Sequence, residues 1–389
     1  MAALTRRFGV QRFALIENAV RDAYLRALEH WPREGAPDDP GKWLVRVAHN
    51  ALVDALRHDL RSDELDEAYD VVHDPPAFDA EDELRLMFLC CDPVLPRAAQ
   101  VALVPSAVFG LSARQIAAAF LSDERSIAQR IVRAKQRLRD AGVRFDVPDA
   151  GELRPRLAAV LDVLYLVFSE GYNPTSDAES EDASLCSEAL RLARMLTRAP
   201  RTATPAAYAL RALLCFHASR ARARIADDGS LLLLPEQDRT KWDRALGDEA
   251  FSCLEQAGRG EELTRFHVEA GVAACHAVAP AYTATDWPRI VALYDLLRTE
   301  APSLVVDVNR ALAVGMRDGA RAGLDELDAI PEREVLARYP YALAAYADLH
   351  ASLGEAAVAT RYLERALEHQ AWPAQRALLE RKRAALAGA

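Results

Sequence analysis

Between residues 125 and 139 the chain reads RSIAQRIVRAKQRLR. The stretch holds Arg125, Arg130, Arg133, Lys135, Arg137 and Arg139 and no acidic side chain, in a protein of formal net charge −10. The chemistry open to such a segment is the binding of a polyanion. Guanidinium groups neutralise phosphates or pair bidentately with guanine. Ser126 and Gln129 add hydrogen-bonding groups suited to base edges, and Arg114 and Gln115 stand a short distance upstream. A merely solvated helix face usually mixes signs; this one carries a single sign.

Other residue types capable of chemistry do not converge. Six cysteines occur without a CxxC pair. Cys90 and Cys91 are adjacent and Cys186, Cys215, Cys253 and Cys275 are scattered, the pattern of reduced, buried thiols in a cytoplasmic protein. His217 and the pair Cys275–His276 lack partners at metal-ligand spacing. Glu170 and Asp177 flank a turn, which makes them capping residues before catalytic ones. No glycine-rich phosphate loop and no GxSxG motif occurs, so the expectation is no enzyme, no metal and no cofactor. No run of about 18 uncharged apolar residues occurs and no secretory signal opens the chain, so no membrane association is expected.

The positioning elements follow from periodicity. Ile127, Ile131, Ala134 and Leu138 fall at i, i+4, i+7 and i+11, one apolar stripe, with Ser126, Gln129, Arg130, Arg133 and Arg137 on the opposite side. Upstream, SARQIAAAF (112–120) reads as a short helix capped by Ser112, and LSDE as a tight turn. Together they spell helix–turn–helix. Nearer the start, residues 14–31 read as a helix with Leu15, Ala19, Ala23 and Leu28 apolar, ended by Pro32. PREGAPDDPGK is a loop. A second helix spans about 41–60, with Trp43, Leu44, Val47, Ala51 and Leu52 as its stripe. The acidic segment 61–82, with Pro75–Pro76, reads as a flexible tether.

Past Pro148 the pattern is helical again, interrupted at YLVFSEGYNPTSD (165–177), where Gly171, Asn173 and Pro174 form a stop. From about 286 helical hairpins repeat. LGEAAVATRYLERAL (353–367) fits the second half of a tetratricopeptide (TPR) unit: Leu353–Gly354 close a turn, Ala359 allows close approach, and Tyr362 and Ala366–Leu367 meet the neighbour. AVGMRDGARAGLDEL (313–327) is a weaker echo. Alanine, leucine and arginine dominate and β-branched runs are scarce, so the expected class is all-α. A chain of 389 residues exceeds one ordinary core. Charge is segregated: residues 61–90 are strongly acidic, 91–145 basic and 146–389 acidic again, as for a small nucleic-acid module within a larger protein.

Residues 82–142 resemble the second conserved domain of an extracytoplasmic-function (ECF) sigma factor, in the group with a long C-terminal TPR-like extension. There the charged helix reads close to ATMAQRLVRAK; here it is RSIAQRIVRAK. IENAVRDAYLRALEHWP resembles the group's polymerase-clamp helix, and PGKWLVRVAHNALVDALRH the helix that reads the −10 element. YLVFSEGY is similar to the signature YLVFNEGY beyond the DNA-binding domains. The resemblance implies residues 1–60 for core RNA polymerase and the −10 element, 61–82 as linker, 83–146 as helix–turn–helix for the −35 element, 147–285 as a helical extension and 286–389 as TPR-like repeats.

By the same resemblance, −35 contacts fall on Arg114, Gln115, Arg125, Ser126, Gln129, Arg130, Arg133 and Lys135, with Arg125, Lys135 and Arg114 on the DNA backbone. The −10 contacts fall on Lys42, Trp43, Arg46, His49 and Asn50, although Trp43 sits on the apolar stripe and so reads first as core. Polymerase contacts fall on Glu17, Asn18, Arg21, Asp22 and Tyr24. The implied partners are core RNA polymerase and promoter DNA, with a peptide or protein ligand in the TPR-like groove. Three departures stand out: Asn18 replaces an acid, Arg21 replaces a glutamine, and Pro105 interrupts a helix where an interior proline costs about 3 kcal/mol. They keep a second expectation open, a degenerate sigma-like protein working as an interaction scaffold.

Overall fold

The computed structural model of the protein describes residues 1–59, 79–120, 122–172, 179–226, 230–370 and 373–387. Their regular structure is helical, and β-pairing among them is confined to one isolated bridge, Ile225 to Leu231. The all-α class is therefore as the composition dictates. Among the described residues no helix is long and apolar enough to cross a membrane. The chain divides into two compact units, Met1–Val167 and Phe168–Ala389.

The first unit opens with α1 (Ala2–Phe8), α2 (Phe13–Glu34) and α3 (Pro40–Asp59). Leu4, Phe8, Ile16, Ala19, Ala23, Ala48, Leu52 and Leu56 share their core. α2 runs through Pro32, which the sequence had marked as its end. The proline sits in the last turn, so only one ladder bond is lost before Gly35, at φ +85°, closes the helix by donating to the Trp31 carbonyl at 3.0 Å.

Four helices follow: α4 (Ala80–Cys90), α5 (Arg97–Ala107), α6 (Ala113–Ala119) and α7 (Glu124–Asp140). Most of the acidic tether falls on residues 60–78, outside the described residues. Its end is folded, because α4 begins inside the segment read as linker. Asp79 caps α4 by accepting from the Glu81 amide at 3.0 Å. Asp82, fully buried, pairs with Arg85 at 2.8 Å and with Arg6 of α1 at 3.4 Å. Pro105 lies within α5, which ends two residues later, with Leu111 donating to the Pro105 carbonyl at 3.0 Å. The cost expected of an interior proline is thus confined to a final turn. α8 (Ala150–Tyr172) begins after the boundary read at 146, yet its residues up to Val167 fall within the first compact unit. Arg97–Asp162 at 2.7 Å and Arg156–Asp92 at 2.9 Å fasten its first turns to the α4–α5 region.

The second unit takes up the end of α8, then α9 (Glu179–Arg198), α10 (Pro205–Ser219), α11 (Arg244–Ala257) and α12 (Arg265–Val278). α10 is buried along nearly its whole length and packs against α9, α11 and α12. Within this group Glu249 lies between Arg194 (2.6 Å) and Arg211 (2.9 Å), and the hydrogen bonds from Arg194 lead in lowering its pKa to about 2. The hairpin series is α13 (Trp287–Glu300), α14 (Leu304–Asp318), α15 (Ala320–Asp328), the single turn α16 (Arg333–Leu336), α17 (Pro340–Ser352), α18 (Ala356–His369) and α19 (Pro373–Ala387). α14 and α15 meet through Gly315 and Gly323: a Cβ on Gly323 would stand 2.9 Å from the Gly315 Cα. Gly354 turns at φ +77°, Ala359 and Ala366 are fully buried, and Tyr362 stacks on Tyr346 at 4.9 Å. Turn, close-approach and contact positions of the 353–367 reading therefore fall where helix pairing needs them.

Candidate nucleic-acid interface

α7 is started by Asp123, whose carboxylate accepts from the Ser126 amide at 2.8 Å. The helix buries Ile127, Ile131, Ala134 and Leu138, the stripe read from periodicity. That orientation leaves Arg125, Ser126, Gln129, Arg130, Arg133 and Arg137 exposed. Among the described residues no carboxylate pairs with Arg125, Arg130, Arg133 or Arg137. From Arg130 to Arg137 the row spans on the order of 10 Å along the axis, a length that fits within a DNA major groove. The arrangement offers unneutralised guanidinium groups flanked by a hydroxyl and an amide. Arg139 sits apart and hydrogen-bonds Gln136. On α6 Arg114 is exposed. Gln115 is turned back instead: its Oε1 accepts from the Ser112 amide and hydroxyl, each at 2.9 Å, while Ser112 Oγ accepts from the Gln115 amide at 3.2 Å.

Lys135 departs from the sequence reading. It lies on the other flank of the buried stripe, mostly buried, paired with Glu17 of α2 and 5.8 Å from the Phe13 ring centroid. A residue read as a DNA contact and one read as a polymerase contact thus satisfy each other. Both are withdrawn from the surfaces assigned to them.

On α2 the buried positions are Phe13, Ile16, Ala19, Ala23 and Ala27. Asn18, Arg21, Asp22 and Tyr24 face solvent. Leu28, expected in the core stripe, is 72% exposed, and with Tyr24 and Leu25 it forms an apolar outer band that the sequence reading missed. Ala27 takes its place because a helix packed closely along alanines needs small side chains at the contact. On α3, Lys42, Arg46 and Asn50 are exposed one turn apart on a single face. Trp43 is half-buried, edge-on to Trp31 with ring centroids 5.5 Å apart. His49 is a correction: it is buried, its ring centroid 5.5 Å from that of Phe8, and burial leads in lowering its pKa. It is a core residue, not a surface contact.

In the second unit, a cleft of about 500 Å³ lies among Val305, Asn309, Tyr339, Pro340, Tyr341, His369, Gln370 and Gln375. Among the described residues no cluster of three or more His, Cys, Asp or Glu could hold a metal ion. Glu170 is half-buried and burial raises its pKa; Asp177 lies outside the described residues. Sequence reading also passed over a cluster of Arg220, Arg224 and Arg239 around Tyr172, His217 and His276. The signal was present in ASRARARI (218–225), three arginines without an acid.

Residues 156–258 match the model of a family of unknown function, DUF6596. The chain is similar to "Uncharacterized protein R00370" of Rhizobium meliloti (strain 1021), 40% identical over 378 residues, covering 94% of this chain and 88% of the relative. No solved structure matches.

Proposed function

We propose that this chain, which belongs to the family of the Rhizobium meliloti protein R00370, is a sigma factor that brings core RNA polymerase to specific promoters. The observation that carries the reading is the row of exposed arginines on α7, unpaired by any described carboxylate in a protein of net charge −10. It stands on the second helix of a helix–turn–helix, the element that enters the major groove. Gln129 and Arg130 read base edges of the −35 element. Arg125, Arg133 and Arg137 neutralise phosphates, and Arg114 adds a phosphate contact from α6. Lys42, Arg46 and Asn50 on α3 hold the melted −10 strand, by cation–phosphate contacts and hydrogen bonds. The outer band of Tyr24, Leu25 and Leu28, rimmed by Asn18, Arg21 and Asp22, docks on polymerase as an apolar anchor in a polar rim.

α3 and α7 must lie on separate promoter elements, so the Lys135–Glu17 pair opens when both elements are engaged. The second unit acts as a built-in regulator, with its cleft for a peptide or protein ligand. A truncation testing this keeps residues 1–172, because a cut at 149 would sever the Arg97–Asp162 and Arg156–Asp92 ties. A shortened protein with unchanged promoter activity and regulation rejects the regulatory role.

The decisive variant carries Gln129→Ala with Arg130→Ala. Sequence-specific duplex binding at physiological salt should be lost while the unfolding midpoint stays put. Survival of specific binding contradicts the assignment. The second reading, an interaction scaffold without promoter recognition, is favoured by the closed Lys135–Glu17 contact and by the cleft. It predicts that the intact protein binds neither polymerase nor promoter DNA.

A further inference from the structure

Tyr172, the last residue of α8, is surrounded by cations. The Arg224 guanidinium carbon lies 3.7 Å from its ring centroid and that of Arg220 5.9 Å. Arg224 also donates to the Tyr172 carbonyl. Arg220 donates to His217 Nδ1 at 2.9 Å. Arg239 donates to the His276 and Ala279 carbonyls at 2.6 and 2.8 Å and stacks 4.7 Å over Trp242. Burial, then the neighbouring arginines, push the His217 pKa well down and that of His276 to about 4, so both imidazoles are neutral at pH 7.

Two features separate this cluster from the other arginines of the second unit. Among the described residues no carboxylate pairs with Arg220, Arg224 or Arg239, whereas Arg194 and Arg211 share Glu249 and Arg310 takes both Asp295 and Glu326. Tyr172 Oη, Arg239 Nη2, Trp242 Nε1 and His276 Nδ1 are also buried without a hydrogen-bond partner among the described residues. Neighbouring guanidinium groups only partly exposed to water repel one another, and buried donors left unpaired are rare in folded proteins. The chain keeps three such charges and several such donors in one place, which is the make-up of a receptor for an anion.

We propose that this cluster binds a small phosphate-bearing anion, held by Arg220, Arg224 and Arg239 with the Tyr172 hydroxyl and the Trp242 indole N–H. A lone carboxylate is satisfied by one guanidinium fork. Three forks with an O–H and an N–H match a dianion with three terminal oxygens, each able to accept more than one charge-assisted bond. All of the arginines and Tyr172 fall within residues 156–258, the segment that matches the family model. The inference does not depend on the sigma-factor reading and stands or falls separately from it.

The test is titration of the full-length chain with inorganic phosphate, by calorimetry and by thermal unfolding. The controls are chloride at equal ionic strength, and citrate as the polycarboxylate arm. The expected result is saturable binding of one phosphate per chain and a rise in unfolding midpoint over chloride. Arg239→Gln should weaken phosphate about tenfold or more, and Tyr172→Phe less but measurably. Arg259→Gln, an exposed cation paired with Glu255, should leave the affinity unchanged. If Arg239→Gln does not fold, Tyr172→Phe decides, since it removes only the hydroxyl and keeps the ring under Arg224. No saturable phosphate binding at millimolar concentration overturns the proposal. So does binding that neither variant weakens, or binding of citrate in preference to phosphate.

Discussion

Replacing Arg133 and Arg137 by alanine tests the α7 face quantitatively. Both side chains are exposed and have no carboxylate partner among the described residues, so stability should change by less than about 0.5 kcal/mol. Binding to duplex DNA should change far more. Arg125, Arg133 and Arg137 together neutralise three phosphates in the proposed pose. Each contributes about 0.9 to the slope of log affinity against log salt, so α7 gives a slope of about −2.7. Between 50 and 200 mM salt the parent then loses about 40-fold in affinity from this face. The double variant keeps one such contact, a slope of about −0.9 and a loss of about threefold to fourfold. Fluorescence anisotropy with a labelled duplex at four salt concentrations reads both slopes. The weakening should be uniform across duplex sequences, because phosphate contacts carry no base information. Equal slopes for parent and variant would refute the reasoning, and so would a loss confined to one sequence.

Three further outcomes follow from other parts of the molecule. A double-mutant cycle on Lys135→Ala and Glu17→Ala should give a coupling energy of about 1–2 kcal/mol in urea unfolding, because the paired side chains are only 12% and 23% exposed; zero coupling would mean that the pair is not formed in solution. Glu249 has its pKa lowered to about 2 from an ordinary 4.5, so its contribution is complete above about pH 4.5 and fades as pH falls through about 2. Glu249→Gln should accordingly cost up to about 3 kcal/mol at neutral pH and flatten stability between pH 5 and 2, measured by unfolding at stepped pH. Gly323→Ala places a Cβ 2.9 Å from the Gly315 Cα and should destabilise by about 1–3 kcal/mol, whereas Asp325→Asn, at an exposed position two residues away, should be nearly silent.

What the sequence disclosed was local. The stripe Ile127–Ile131–Ala134–Leu138 was legible because a helix sorts its faces by a 3.6-residue period, and burial of that stripe alone places Arg130 and Arg133 outside. The same arithmetic could have placed two residues that were misread. Lys135 is four residues after Ile131 and three before Leu138, on the flank of the stripe. His49 is three before Leu52 and seven before Leu56, on the buried side of α3. Pro32 misled because a proline in a final turn ends a helix no sooner than a following glycine does. The partners were beyond reach. Glu17 lies 118 residues from Lys135, and the cluster on Tyr172 is gathered from α8, the end of α10, a turn near 239 and α12. Periodicity carries no information about such pairings, since they depend on how elements pack.

The central claim is settled most directly by run-off transcription with the full-length protein and purified core RNA polymerase. Templates carry promoters recovered by binding-site selection. Transcripts of defined start should require both the protein and the selected promoter, and should disappear with Gln129→Ala plus Arg130→Ala. Polymerase that never associates with the protein, or transcripts indifferent to its presence, would contradict that claim.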